Sequence, residues 1–192
     1  MSRGAERLIV ALDTPPLATA MKMARQLVGV VRILKVGSIL FTACGPEVIT
    51  RLRTLGFQVM LDLKFFDIPS TVEQSCRAAV HHRVSLVTVH ALGAREMLEA
   101  AVRGTQEEAR RVRVEPPRLL AITVLTSVGT QAAPGLTRRV AALAAAAFEA
   151  GCDGVVASAQ EAAMLRKRFG EAVEIVCPGI RPTGVDLSDQ RR

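Results

Sequence analysis

Tryptophan and tyrosine are absent from this sequence, and aromatic residues make up 3% of it. A protein that reads single-stranded nucleic acid stacks bases on aromatic side chains set among basic ones. No such interleaving occurs here. The net charge of +7 therefore points away from nucleic acid and towards a basic surface that attracts a phosphorylated anion. Long apolar runs are missing too. None approaches the roughly 18 residues a membrane-spanning helix needs, and "MSRGAERLIVALD" lacks a signal-peptide pattern. The four cysteines, Cys44, Cys76, Cys152 and Cys177, form no C-x-x-C pair and have no histidine at metal-ligand spacing. They are expected to be reduced core residues of a cytoplasmic protein, with no metal site.

What the chain does have is aliphatic residue in quantity. Hydrophobic residues make up 49% of 192 positions, enough for one sizeable domain built on Ala, Val, Leu and Ile. Short β-branched runs recur at 7–12, 32–37, 57–63, 85–90, 119–125, 154–158 and 174–179. Helical patterns lie between them, at 16–28, 70–82 and 136–151. Near-continuous apolar strands alternating with helices indicate βαβ units and a parallel sheet. Seven such strands, most ending in polar or charged residues, favour a (β/α)8 TIM-type barrel over an open doubly wound sheet. The expected organisation is a single barrel domain, 1–192, that ends before the eighth strand and is C-terminally incomplete. Two segments, 103–118 and 181–192, are charged and turn-rich and are expected to be mobile loops, with part of the first open to a helical reading and the second a lid. "RLRTLG" (51–56) is expected to be a solvated helix face, and Met21 and Met23 helix packing. His81 and His82 are expected in solvated or capping roles at a helix end, and His90 as a hydrogen-bonded structural residue.

The third strand carries the chemistry. "LDLKFFDIPS" (61–70) puts Asp62, Lys64 and Asp67 inside an apolar run. A buried charge is costly unless paired. Alternation along a strand sends Asp62 and Lys64 to one face and Leu61 and Leu63 to the other. In a barrel the strand ends share one mouth, so Asp13, Lys35, Asp62, Lys64 and Asp67 are expected there as one alternating network. Carboxylates around an ammonium favour its charged form and keep it loaded as an acid. The alternative is a set of ordinary ion pairs at strand ends.

"DLKFFDIPST" resembles the D-x-K-x-x-D-I-P-x-T signature of the orotidine 5′-monophosphate decarboxylase family. "VALD", "LKVG", "VTVHA", "AITVLTS", "DGVVASAQEA" and "CPGIRP…DQRR" are similar to that family in the same order, over nearly the whole chain. The resemblance implies conversion of orotidine 5′-monophosphate (OMP) to UMP and CO2, without metal or organic cofactor. It implies that Lys64 is the proton donor to C6 of the pyrimidine and that Asp62 sits beside the substrate carboxylate. Lys35 joins the charged network and contacts the ribose, and Asp13 holds a ribose hydroxyl. Asp67, Ile68 and Thr71 reach into the partner's site in a homodimer with shared active sites. Thr126 meets the pyrimidine or its surroundings, and Arg181 and Gln190 lie on the lid. The family's phosphate-gripping Gly-Arg pair at the eighth strand has no counterpart among these residues; "GIR" at 179–181 belongs to strand seven. Two other readings stand beside this one: a Mg²⁺-dependent sugar-phosphate lyase of the same barrel group, such as hexulose-phosphate synthase, and a truncated non-catalytic homologue that dimerises.

Overall fold

The computed structural model describes residues 5–126 and 135–181. Seven strands run in the sheet order β1-β2-β3-β4-β5-β6-β7. They are β1 (Ile9–Ala11), β2 (Ile33–Gly37), β3 (Gln58–Phe65), β4 (Leu86–His90), β5 (Arg118–Ile122), β6 (Gly154–Val156) and β7 (Glu174–Val176). Sequence order and spatial order coincide because each connection carries at least one helix: α1 (Leu17–Leu27), α2 (Ser38–Cys44) with α3 (Glu47–Thr54), α4 (Pro69–His81), α5 (Arg95–Val112), α6 (Leu136–Glu149) and α7 (Ala159–Phe169). A parallel pair needs such a crossover.

By compactness the chain divides into two units. The first comprises Met1–Lys64, Gln74–Thr88 and Gly104–Pro117. In it β1 pairs parallel with β2 (Ala11 against Lys35) and β2 with β3 (Lys35 against Met60, Gly37 against Asp62). Its core is aliphatic, with Leu34, Leu40, Ile49, Leu52 and Leu61 almost wholly buried. The second comprises Phe65–Glu73, Val89–Arg103 and Arg118–Arg192. There β5 pairs parallel with β6 and β6 with β7, over a core that includes Leu98, Leu119, Leu120 and Leu165. Helix α7, not foreseen from periodicity, begins at a capping box. The Ser158 side chain accepts from the Gln160 amide, and Glu161 accepts from the Ser158 amide at 2.8 Å.

Three sequence expectations change. Residues 103–112, the greater part of the segment expected to be a loop with a helical part, form the second half of α5. Their charges are spaced for a helix: Glu108 and Arg111 pair at i,i+3, while Thr105, Glu108 and Ala109 are buried along one side. "RLRTLG" is only partly a solvated face, since Leu52 is fully buried between exposed Arg51 and Arg53. The strands are also shifted at their ends, β5 and β7 stopping earlier than their apolar runs and β3 continuing through Lys64 to Phe65. None of the four cysteines is in a disulfide, and burial pushes the Cys152 thiol up to about 12, consistent with an inert core residue.

Glu108 is the buried anchor of the first unit. It is 4% exposed and meets Arg111 at 2.5 Å, His81 at 2.6 Å and Arg77 at 3.3 Å, so His81 is in contact with a buried carboxylate and not merely a solvated helix end. The hydrogen bond from Arg111, helped by its charge and by His81 and Arg77, outweighs burial and holds the Glu108 carboxyl down to about 2 from 4.5. A depressed folded value means that this stabilisation is complete above about pH 5 and disappears as pH falls towards 2. Glu108→Gln should therefore melt a few degrees below the parent at pH 7, and the gap should close on acidification. A gap that stays constant from pH 7 to pH 3 in thermal melts would show that charge is not its source.

Candidate active site

Four side chains meet at the ends of the first three strands, all within the first unit. Lys64 Nζ donates to Asp62 Oδ2 at 2.9 Å. Lys35 Nζ lies 3.5 Å from the same oxygen and donates to Asp13 Oδ1 at 3.3 Å. The order Asp13–Lys35–Asp62–Lys64 alternates in sign, and exposure is lowest at Asp62. The Asp62 side chain is 10% exposed, Lys35 22%, Lys64 39% and Asp13 45%. Desolvating Asp62 alone would cost several kcal/mol; two ammonium groups at one of its oxygens offset that.

Strand register explains how Lys35 reaches both acids. Gly37 is the partner of Asp62 across β2 and β3, and it lies two residues beyond Lys35 on the same face. A Cβ on Gly37 would stand 3.1 Å from both Asp13 Oδ1 and Lys35 Nζ. The position is empty of side chain because the ion pair occupies that space. Its backbone, with φ of −92°, does not itself require glycine.

Alternation accounts for Asp62 and Lys64 only in part. Lys64 has φ of +53°, in the left-handed region, so it is not an extended strand residue although it lies within β3. Such a conformation costs a non-glycine residue about 1–3 kcal/mol and persists only where its surroundings fix it. What fixes it is Thr88 on β4, fully buried. Its hydroxyl accepts the Lys64 backbone N–H at 3.0 Å and donates to Asp62 Oδ1 at 3.0 Å. Neither Thr88 nor Gly37 stood out in the sequence. The signal for Thr88 was a hydroxyl inside the apolar run "SLVTVH".

The remaining expected site residues belong to the second unit. Asp67 is exposed, and its Oδ1 accepts the Ile68 amide at 2.6 Å. Ile68 is 63% exposed and Phe66 58%, and Thr71 is exposed in the first turn of α4. Thr126 is buried at the end of the segment that follows β5. Arg181 is exposed and donates to the Ile180 carbonyl at 3.1 Å. Gln190 and the rest of the expected lid, 182–192, lie outside the described residues. His90 is half-buried, its ring 5.4 Å from that of Phe66.

Residues 6–192 match the family model "Orotidine 5'-phosphate decarboxylase / HUMPS family". The chain belongs to this family. It is 45% identical to orotidine 5′-phosphate decarboxylase of Hydrogenovibrio crunogenus over 97% of this chain and 79% of that one. It is 46% identical to that of Halorhodospira halophila over 98% and 80%. Among solved structures, orotidine 5′-phosphate decarboxylase of Lactobacillus acidophilus superposes with a TM-score of 0.83 at 34% identity, over 92% of this chain and 82% of that one. An uncharacterized conserved protein of Geobacillus kaustophilus gives 0.81 at 37%, over 88% and 82%. The fold is accordingly of the (β/α) TIM type, and the four-residue cluster sits where that architecture puts catalytic groups, at C-terminal strand ends.

If the space at Gly37 is reserved for the ion pair, filling it will displace Lys35 or Asp13 by tenths of an ångström. Gly37→Ala is expected to fold normally and to lower kcat/KM for OMP by roughly tenfold, since small misplacements in a charged site are costly. Unchanged kcat/KM would mean that the pair relaxes without functional cost.

Proposed function

We propose that the chain decarboxylates OMP to UMP and CO2 as a cofactor-free carboxy-lyase of de novo pyrimidine biosynthesis, with Lys64 as the proton donor. The observation that carries the assignment of roles is the Lys64–Asp62 contact at 2.9 Å within the family's signature segment. In the reaction the bond from C6 to the carboxylate breaks and its electron pair remains on C6. Carbon dioxide leaves, and C6 takes a proton from the Lys64 ammonium, which water later recharges. The ring carbon has no ordinary electron sink, so stabilisation comes from a fixed cation where charge develops. Asp62, held beside the substrate carboxylate, disfavours the ground state, a contribution whose general weight is contested. Lys35 and Asp13 hold the ribose, while Thr126, Arg181 and Gln190 close over base and phosphate. Binding energy from these remote groups organises the charged centre.

Asp67, Ile68 and Thr71 are assigned to the site of a second copy, which makes the working form a homodimer. The support is their exposure beside Phe66. Residues 1–192 are read as one domain, because β3, β4, α4 and α5 each contribute residues to both compact units. The cytoplasm is the proposed location, with no nucleic acid or membrane as partner. A Mg²⁺-dependent lyase is disfavoured by the cluster itself, since Lys35 and Lys64 already neutralise Asp13 and Asp62. No helix among the described residues is long and apolar enough to cross a membrane.

Lys64→Ala should reduce turnover of OMP roughly 100-fold or more while leaving the fold intact, because one ammonium is both electrostatic partner and acid. Circular dichroism and a steady-state assay decide it, and near-parental activity would sink the assignment. Asp67→Asn tests the dimer. Mixed with Lys64→Ala under conditions where subunit exchange is verified by mass, the two inactive proteins should recover part of the activity, since one site in a mixed dimer carries neither lesion. No recovery after proven exchange would return Asp67 to its own chain.

A further inference from the structure

We infer that Thr88 is a positioning residue for the proton donor: its single hydroxyl fixes both the backbone of Lys64 and the carboxylate of Asp62. The inference deepens the decarboxylase reading, and its kinetic arm rests on that reading. The geometry is closed. The hydroxyl has one hydrogen to give. Because the Lys64 N–H already points at the oxygen, at 3.0 Å, that hydrogen goes to Asp62 Oδ1, also at 3.0 Å. Oδ1 is thereby turned to β4, and Oδ2 is left to face Lys64 Nζ at 2.9 Å and Lys35 Nζ at 3.5 Å. The same oxygen holds Lys64 at φ of +53°. Two other non-glycine residues share that conformation, Arg83 and Arg113, with φ of +52° and +55°, but each follows the end of a helix, where it is an ordinary terminating device. Lys64 adopts it inside a strand, opposite a buried hydroxyl. Thr88 is 0% exposed, so no water replaces these bonds when the hydroxyl is removed.

Thr88→Val keeps the shape and β-branching of the side chain and deletes both bonds. The variant should lower kcat for OMP about 10- to 100-fold while KM and the calorimetric affinity for UMP change less than about twofold, the pattern of an interaction lost in the transition state. Thr88→Ser, which keeps the hydroxyl, should restore most of kcat. A crystal structure of Thr88→Val is the arm independent of turnover: Lys64 should leave the left-handed region, or its ammonium should move off Asp62. Should Thr88→Val not fold, Thr88→Ala removes the same bonds without an added methyl and answers the same questions. Parental kcat in a folded hydroxyl-free variant would overturn the inference. So would equal loss of kcat and UMP affinity unrelieved by serine, or an unmoved Lys64 in the crystal. If the parent protein does not turn over OMP at all, the decarboxylase reading fails, and the crystal structure still judges Thr88.

Discussion

One carboxylate with both oxygens committed organises this site. Asp62 takes a hydroxyl hydrogen on Oδ1 and two ammonium groups around Oδ2. In a place 10% accessible, a carboxylate satisfied on one side only would be expensive and free to rotate. The neighbours depend on it in turn. Lys64 has its ammonium aimed by Oδ2 and its backbone held by the same hydroxyl that holds Oδ1. Lys35 has a second acid, Asp13, to settle its position. Removing Asp62 would leave two cations and a hydroxyl with no common partner.

This arrangement required few special residues, and their visibility in the sequence differed. The alternation of β-branched runs and helical stretches was legible because a parallel sheet buries both faces of its strands and needs crossovers between them. The acids and ammonium groups were legible because charge in an apolar run has to be explained. Gly37 was not, since its role is a register relation with Asp62, which appears only when β2 and β3 are laid side by side. Thr88 was hidden for a similar reason: a buried threonine in a strand is commonplace, and its importance lies in what stands opposite. The second half of α5 was only partly legible because density of charge pointed to a loop, when the i,i+3 pair Glu108–Arg111 and the cross-helix contacts of Arg77 make that charge part of the packing.

Left-handed geometry at Lys64 gives the site a conformational as well as an electrostatic component. An extended lysine two residues after Asp62 would follow the pleat, with its ammonium placed by a long and flexible stem. Anchoring the backbone in an uncommon conformation reduces the number of ways that stem can leave Cα, and the cost is met by a hydrogen bond inaccessible to water. Preorganisation of this kind matters most where the group must be in place before charge develops.

Charge balance across the catalytic cycle then follows from the cluster's composition. At rest, two lysines and two aspartates sum to zero. In the proposed reaction, once Lys64 has passed its proton to C6, the cluster holds Lys35 against Asp13 and Asp62 and is negative by one. The Lys64 side chain is 39% exposed while Asp62 is 10%, so water reaches the proposed proton donor and is largely kept from the carboxylate that aims it. The low exposure of Asp62 between two more exposed lysines thus has a reading in the proposed mechanism. It separates a fixed, nearly dry anion from the cation that, in the proposed reaction, exchanges its proton once in every turnover.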